Sequence, residues 1–330
     1  MSQKKKLSTG NNLFNRISFQ LKSRRTVRRL KPTGHGTVCI ILNPAAGKDR
    51  PMLKTMNQVF KEAGIRWELV LTKTEGDGKR LAKKAAAAGF DVVAVYGGDG
   101  TIAEVAGGLL GTGIPLGIIP GGTANMMAMS LNIPRELRLA CQLIASEEHQ
   151  IRVVDIGVVE NNYFLQLVGI GMEAKIIQLA DRDLKDRLGP LAYGWAIVQA
   201  LHEPHQARFF VTLDGEERIE MDGVTCLIAN GNNVNFPNLG ISMGSDPDDG
   251  LLEIGLLRQT SLDSLINMAS SITGGPENQR MFLRRQARTV FVEAEPQQMV
   301  QADGEIIGHT PVKINIIPQA VRVIVPPSEV

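Results

Sequence analysis

Residues 92–104 read VVAVYGGDGTIAE, an apolar run that leads through glycines into a helical pattern. This order predicts a buried strand, a tight turn and the first turn of a helix. Glycines let the backbone approach a ligand closely, and the N–H groups at the start of a helix bind anions. Asp99 would repel a bare phosphate unless a divalent cation lay between them, so the turn indicates chemistry on a magnesium-bound nucleotide.

Strands and helices alternate on both sides of this turn. Apolar runs predict strands at residues 38–42, 66–72, 92–96 and 115–119. Helical patterns cover residues 52–63, 78–88, 101–110 and 135–146, and a further helix is expected to begin near residue 124. This alternation is typical of an α/β fold with a doubly wound parallel sheet, in which ligands bind at the carboxyl ends of the strands. We therefore expect the turns that follow these strands to converge.

The second half of the chain follows a different pattern. Apolar runs predict strands at residues 151–159, 163–168, 209–213, 224–229, 251–257, 289–292, 312–317 and 321–325, and helices at residues 184–201 and 261–272. Short strands with turn signals favour an antiparallel, β-sandwich-like domain. We therefore expect an N-terminal extension at residues 1–35, a nucleotide-binding domain at residues 36–150 and a β-rich domain at residues 151–330.

Composition and charge limit where the protein acts. The chain contains no run of roughly 18 apolar residues, so we expect no membrane span. Its three cysteines lack disulfide or zinc spacing, which favours a reducing cytoplasm. Residues 1–31 hold ten Lys and Arg and no acid, whereas the rest of the chain holds 26 basic and 34 acidic residues. This basic segment is either a helix that binds an anionic membrane surface or a disordered tail.

Two nucleotide-binding motifs are excluded by the residues after the first predicted strand. A dinucleotide-binding turn needs G-x-G-x-x-G, but residues 43–48 read NPAAGK. A P-loop needs a Ser or Thr after its Gly-Lys pair, but Lys48 is followed by Asp49. A phosphoryl-transfer enzyme built on the turn at residues 97–101 remains.

Three motifs in order resemble one family. They are NPAAG at residues 43–47, GGDGT at residues 97–101 and PGGTAN at residues 120–125. Together they are similar to the diacylglycerol kinase catalytic-domain family, in particular the bacterial soluble lipid kinases of the YegS type. The likeness continues through residues 155, 246–251 and 303–305. It implies a nucleotide-binding α/β domain, a β-sandwich-like lipid-substrate domain, and ATP and a lipid alcohol as substrates.

The resemblance also implies roles for single residues. The nucleotide-binding set would be Asn43, Gly47, Thr72, Gly97, Gly98, Asp99, Gly100, Thr101, Gly122, Thr123 and Asn125. Asp99 and Asp155 resemble the carboxylates that position catalytic Mg²⁺ through water, although Asp155 could equally end a strand. Glu305 resembles the general base that takes the proton from the attacking hydroxyl.

The choice of Glu305 needs the resemblance, because the chain carries the sequence Asp-Gly-Glu twice. Asp-Gly is an ordinary hairpin dipeptide, and both residues 214–216 and residues 303–305 fit it. Local spacing does not separate the two copies. The family has its catalytic Glu in the last such motif, so we expect residues 214–216 to form only a hairpin.

Residues 246–251 read DPDDGL and concentrate three carboxylates in a turn. The family resemblance implies a structural Mg²⁺ there, held by the Asp249 side chain and by backbone oxygens near Asp246 and Leu251. Oxygen ligands suit this hard cation. The alternative is a solvated acidic loop.

Two further features bear on the lipid. The apolar stripe at residues 184–201 is either core packing or the entrance for an acyl chain. Many relatives have Asp directly after Asn125, but this chain has Met126. We expect a lipid kinase that is cytoplasmic and transiently bound to the anionic inner face of the membrane. Nucleic acid is not an expected partner, and a homodimer stays open. An NAD kinase-like enzyme and a catalytically silent lipid-binding regulator are the alternatives.

Overall fold

The computed structural model describes residues 36–46, 52–123, 125–179, 206–231, 234–236, 241–243, 246–258 and 282–327. Gly47, the basic segment at residues 1–31 and the helices expected at residues 184–201 and 261–272 lie outside these residues.

The described residues form strands and helices in the following order. The strands are β1 (Thr37–Leu42), β2 (Arg66–Leu71), β3 (Val92–Gly97), β4 (Leu116–Pro120), β5 (Gln150–Val159), β6 (Asn162–Phe164), β7 (Leu167–Gly171), β8 (Ala207–Leu213), β9 (Glu217–Ala229), β10 (Val234–Phe236), β11 (Ile241–Met243), β12 (Leu252–Arg258), β13 (Phe282–Ala287), β14 (Thr289–Glu295), β15 (Met299–Ala302), β16 (Glu305–His309) and β17 (Val312–Val325). The helices are α1 (Met52–Glu62), α2 (Asp77–Ala87), α3 (Asp99–Leu109), α4 (Met126–Ser130), α5 (Leu137–Ala145) and α6 (Met172–Leu179). None of these helices has the length and apolar run that a bilayer crossing requires.

The first four strands form the parallel sheet that the sequence predicts. Their order is β2–β1–β3–β4, and every pair is parallel. The middle strands are apolar on both faces, as is usual for a sheet covered by helices on both sides. Because β1 and β3 are adjacent, the turns that follow them lie side by side at one edge of the sheet.

The second half is antiparallel. Its strands follow the order β16–β15–β7–β9–β8–β14, and each neighbouring pair is antiparallel. These strands bury a second core around Phe209, Ile228 and Val292. The expected α/β domain and antiparallel β-sandwich-like domain are therefore confirmed as a fold class, and the exact domain limits stay a prediction.

The last strand joins the two halves. The first part of β17 pairs with β14, and nearly its whole length pairs with β5. Its end lies parallel to β4, at Val323 opposite Leu116, and residues 321–325 belong to the first core. The two halves of the molecule therefore share one continuous hydrogen-bonded sheet.

Three expected strands differ from the structure. Residues 163–168, expected as one strand, contribute to two strands, β6 and β7. The strand is interrupted at Leu165 and Gln166, because the N–H groups of these two residues donate to the Asp303 carboxylate. The segments 312–317 and 321–325 form one strand with an irregular register between Ile317 and Val321. Pairing with β5 on both sides of the irregularity keeps β17 continuous.

We expect the thiols to be unreactive in the folded protein. Cys39, Cys141 and Cys226 are free and buried. Burial raises the pKa of Cys39 to about 11 and that of Cys141 to about 12, and it also raises the pKa of Cys226. Since the thiolate is the nucleophile, iodoacetamide at mildly alkaline pH should add nothing to the native protein and three adducts in guanidinium, measured by intact mass. Rapid labelling of the cysteines in the native protein would contradict this prediction and would show that the reagent reaches the cores.

Candidate active site

The phosphate turn follows β3 and opens α3. Gly98 stands at the N-cap of α3, and Asp99 begins the helix. Asn43, just after β1, reaches across with its side-chain amide and donates to the Thr101 hydroxyl at 2.9 Å. A Cβ on Gly97 would lie 2.8 Å from the Thr101 Cβ, so this position needs a glycine. The first two predicted turns are thus in direct contact.

The second glycine turn packs against the first. A Cβ on Gly122 would lie 2.6 Å from the Gly98 Cα, so the backbone at Gly98 leaves no room for a side chain on Gly122. Asn125 has a left-handed φ of 51°, which Asn tolerates better than most residues. Its side chain accepts from the Gly122 N–H at 2.8 Å and donates to the Gly122 carbonyl at 2.6 Å. The carbonyl of Thr123 accepts from Arg135 at 3.2 Å.

Asp99 also ties the phosphate turn to α4. Its two carboxylate oxygens accept the N–H groups of Met126 at 3.2 Å and Met127 at 3.1 Å. These are N–H groups that a helix start leaves without an intrahelical partner. Asp99 therefore has a structural contact in addition to its expected role at the cation.

Thr72 lies at the end of β2, in a loop that two acids hold rigid. The Asp77 carboxylate accepts the N–H groups of Lys73 and Thr74. Its side-chain hydrogen bond with Arg80, followed by these two backbone bonds, lowers the pKa of Asp77 to about 2. Glu104, the last residue of the opening sequence, accepts the N–H groups of Gly76 at 2.7 Å and Gly78 at 2.8 Å. Glu104 thereby connects α3 to the Thr72 loop.

We expect Glu104→Gln to loosen this loop. The amide keeps one acceptor oxygen, so one of the two backbone N–H groups loses its partner, and a hydrogen bond to a charged acceptor is worth roughly 1.5–3 kcal/mol. Amide hydrogen exchange at Gly76 or Gly78 should become about tenfold faster or more. The control is Glu62→Gln. Glu62 lies on the exposed side of α1, and the hydrogen bond found for its carboxylate is from the side chain of Gln58. Unchanged amide hydrogen exchange at both glycines in Glu104→Gln would contradict the role of Glu104 in holding this loop.

Glu305 lies against the phosphate turn. It begins β16, some two hundred residues after that turn, yet a Cβ on Gly100 would lie 2.8 Å from a Glu305 carboxylate oxygen. A glycine at position 100 is what lets the carboxylate come this close. The competing residue Glu216 lies in the turn between β8 and β9, where Asp214 accepts the N–H groups of Arg288 and Thr289.

Asp303 is a site residue whose role the sequence reasoning missed. Its carboxylate accepts three consecutive N–H groups, from Leu165 at 2.7 Å, and from Gln166 and Leu167 at 3.0 Å. Burial raises the pKa of Asp303 to about 6 against the effect of these three bonds, and the nearby charge of Asp99 adds to the rise. Asp303 thus anchors the turn that carries Glu305. The only signal in the sequence was the Asp-Gly dipeptide, which also occurs at residue 214.

Asp155 contacts the acidic loop. It is 2% exposed, and its carboxylate accepts the N–H groups of Gly250 at 2.7 Å and Gln319 at 2.6 Å. Burial raises its pKa, and the charges of Asp249 and Asp248 raise it further. The structure thus brings Asp155 together with residues 246–251. The hydrogen bonds found for its carboxylate are to Gly250 of this loop and to Gln319.

Carboxylate oxygens, which are donors that suit Mg²⁺, are present at both expected magnesium sites. Within the described ranges, no group of three or more His, Cys, Asp or Glu could hold a metal directly. Asp99 uses one lone pair on each oxygen for α4 and keeps others for a hydrated cation. In the acidic loop, Asp249 accepts the Leu251 N–H at 2.9 Å, and a cation would relieve the repulsion that Asp155 feels. Arg152 lies 3.6 Å from Asp246 and already offsets part of this charge.

Comparisons with known proteins show the family and the fold of the chain. The family model of the diacylglycerol kinase catalytic domain matches residues 37–159, and that of the YegS C-terminal NAD kinase beta sandwich-like domain matches residues 166–325. A Bacillus subtilis protein named diacylglycerol kinase is 30% identical over 295 residues, 87% of this chain and 95% of that protein. A Pseudomonas aeruginosa protein named probable lipid kinase YegS-like is 31% identical, over 81% of this chain and 87% of that protein. The crystal structure of a diacylglycerol kinase from Bacillus anthracis has the same fold, with a TM-score of 0.66, 24% identity and coverage of 89% and 98%.

Proposed function

The chain belongs to the diacylglycerol kinase catalytic-domain family of lipid kinases, and from this premise we propose that it transfers the γ-phosphoryl group of ATP to the hydroxyl of a diacylglycerol-like lipid. The contact between Glu305 and Gly100 carries the proposal. A kinase needs a proton acceptor beside the phosphates, and this contact unites an acid of the β-rich half with the phosphate turn.

In the proposed reaction Glu305 accepts the proton of the lipid hydroxyl while that oxygen attacks the γ-phosphorus. The new O–P bond forms as the bond from the γ-phosphorus to the bridging oxygen breaks, and ADP leaves with the electron pair. The glycine turns at residues 97–101 and 121–125 let the backbone approach the phosphates. Bound Mg²⁺ would neutralise phosphate charge, and the proposal keeps Asp99 and Asp155 as the carboxylates that would position the hydrated ion, with Asp99 at the phosphate turn. Asp303 holds the Glu305 turn in place through its three backbone contacts.

A lipid acceptor implies work at a membrane surface. The proposal therefore includes a cytoplasmic enzyme that touches an anionic membrane transiently, with the basic residues 1–31 as the attracting segment. A homodimer is compatible with it. The structural Mg²⁺ at Asp246, Asp249 and Leu251 also belongs to the proposal, supported by the oxygen donors of that loop.

The test is a transfer assay with radiolabelled ATP and the purified chain. One arm contains a total bacterial lipid extract, a second contains NAD, and a third contains the extract with a magnesium chelator. We expect label in a lipid band after thin-layer separation, and none in the other two arms. Label in NAD would support the NAD kinase-like alternative. Vesicle binding with no labelled product in any arm would support the silent regulator.

A further inference from the structure

The short helix α4 borders the phosphate turn. Its first two N–H groups donate to the Asp99 carboxylate, so Asp99 holds the start of the helix beside the turn. Gly100, which follows Asp99 in the chain, is the residue that the Glu305 carboxylate approaches. The helix start, the phosphate turn and the expected general base are therefore linked through two adjacent residues.

The two sides of α4 differ. Met127 and Ala128 are buried, and the Met127 sulfur accepts a hydrogen bond from the side chain of the buried Gln166 at 3.3 Å. Met126 is 37% exposed and Met129 is 56% exposed. Residues three apart on a helix lie on the same side, so these two thioether side chains form one exposed surface. We name Met126 and Met129 the methionine face.

The methionine face is a local concentration of exposed apolar side chains. In the part of the chain that the structure describes, seven large apolar side chains are more than a third exposed, and two of them lie on this five-residue helix. Contiguous exposed apolar patches are typical of ligand-binding grooves and interaction surfaces, and this pair borders the candidate active site. Methionine is flexible and polarisable, so it adapts to apolar ligands of varied shape.

We propose that the methionine face binds the hydrocarbon of the acceptor lipid next to its reacting hydroxyl, and so selects a long-chain acceptor over a water-soluble alcohol. The inference rests on the proposed function and names the part of the lipid that this site contacts. A lipid hydroxyl bound at Glu305 would lie beside Gly100 and Asp99. The helix α4 borders the same place, because its Met126 N–H donates to the Asp99 carboxylate. Met126 stands where the resemblance leads one to expect Asp, and its side chain offers dispersion contacts in place of a charge.

The experiment compares the full chain with Met126→Ser/Met129→Ser. The conservative variant is Met126→Leu/Met129→Leu, and the control is Phe291→Ser. Phe291 is also 37% exposed, but its strand lies four strands from β15, about 19 Å along the sheet. Two readouts are used: equilibrium binding of a fluorescent long-chain diacylglycerol in detergent micelles, and the ratio of kcat/KM for long-chain over short-chain, water-soluble diacylglycerol.

We expect the double serine variant to bind the fluorescent lipid about tenfold more weakly or worse, and to lose the preference for the long chain by a similar factor. Leucines should restore both values, Phe291→Ser should match the original chain, and ATP affinity should not change. Full binding and an unchanged chain-length ratio in the serine variant would overturn the inference. If the original chain binds the lipid through the methionines but phosphorylates none, the proposed function fails and only the lipid-binding part of the inference is supported.

Discussion

Glu305→Gln is expected to lower the turnover number about 10²–10⁴-fold while ATP affinity stays nearly unchanged. The amide has almost the same shape as the carboxylate, so the contact with Gly100 persists, but it no longer accepts a proton at neutral pH. The loss should therefore appear in kcat and not in nucleotide binding. Single-turnover phosphate transfer to the lipid, together with titration of a non-hydrolysable ATP analogue, separates the two quantities.

Glu216→Gln is the matched control, because Glu216 ends the other Asp-Gly-Glu sequence of the chain. Its turn joins β8 to β9 and is held by Asp214 to the residues that precede and begin β14. We expect normal turnover in this variant. Full activity of Glu305→Gln together with loss of activity in Glu216→Gln would refute the assignment of the base.

Asp99→Asn is expected to cost about 10²–10³ in turnover, the size of effect seen when one preorganised electrostatic partner of a transition state is removed. The substitution removes the negative charge that would hold hydrated Mg²⁺ at the phosphate turn. It retains one acceptor oxygen for the N–H of Met126 or Met127, so the helix start loses one hydrogen bond to a charged acceptor, worth roughly 1.5–3 kcal/mol of stability. Turnover at saturating ATP and Mg²⁺ and the urea midpoint measure the two effects.

Asp91→Asn is the control for Asp99→Asn. Asp91 also accepts two hydrogen bonds, from the Thr37 N–H at 2.8 Å and the Thr37 hydroxyl at 2.9 Å, but it lies at the amino end of the same parallel strands. Both bonds reach the same carboxylate oxygen, and the amide keeps one acceptor oxygen, so we expect a smaller loss of stability than in Asp99→Asn, with normal turnover. If Asp99→Asn lost stability far beyond this control and activity only in proportion, the role of Asp99 would be structural.

Local order along the chain predicted much of the fold. The first four strands and the helices between them lie within a few residues of their expected positions, because apolar periodicity and glycine stops depend on neighbours in sequence. The meeting of the turns at Asn43 and Thr101 also followed, since parallel strands end at the same edge. The strands β15 and β16 and the helix α6 are among the elements that were not predicted, because their short segments carry weak patterns.

The site was less accessible to sequence reasoning. Glu104 and Asp303 act through backbone N–H groups far along the chain, at Gly76 and Gly78 and at residues 165–167. Such a contact leaves no spacing pattern, because any loop can supply N–H groups. The side chain of Asp155 contacts the backbone at Gly250 and Gln319, which was equally invisible in the order of residues.

The order of residues was enough to predict the alternating α/β half and the glycine turns, because these depend on short-range geometry. It also carried the proposal that the turn at residues 97–101 serves phosphoryl transfer. The two Asp-Gly-Glu turns are alike at that range, and long-range pairing makes them different. Pairing of β15 with β7 brings Asp303 onto residues 165–167 and Glu305 onto Gly100, whereas pairing of β8 with β9 leaves Glu216 in a hairpin turn. Which backbone a carboxylate meets is a property of strand pairing, and strand pairing is determined only when the whole sheet assembles.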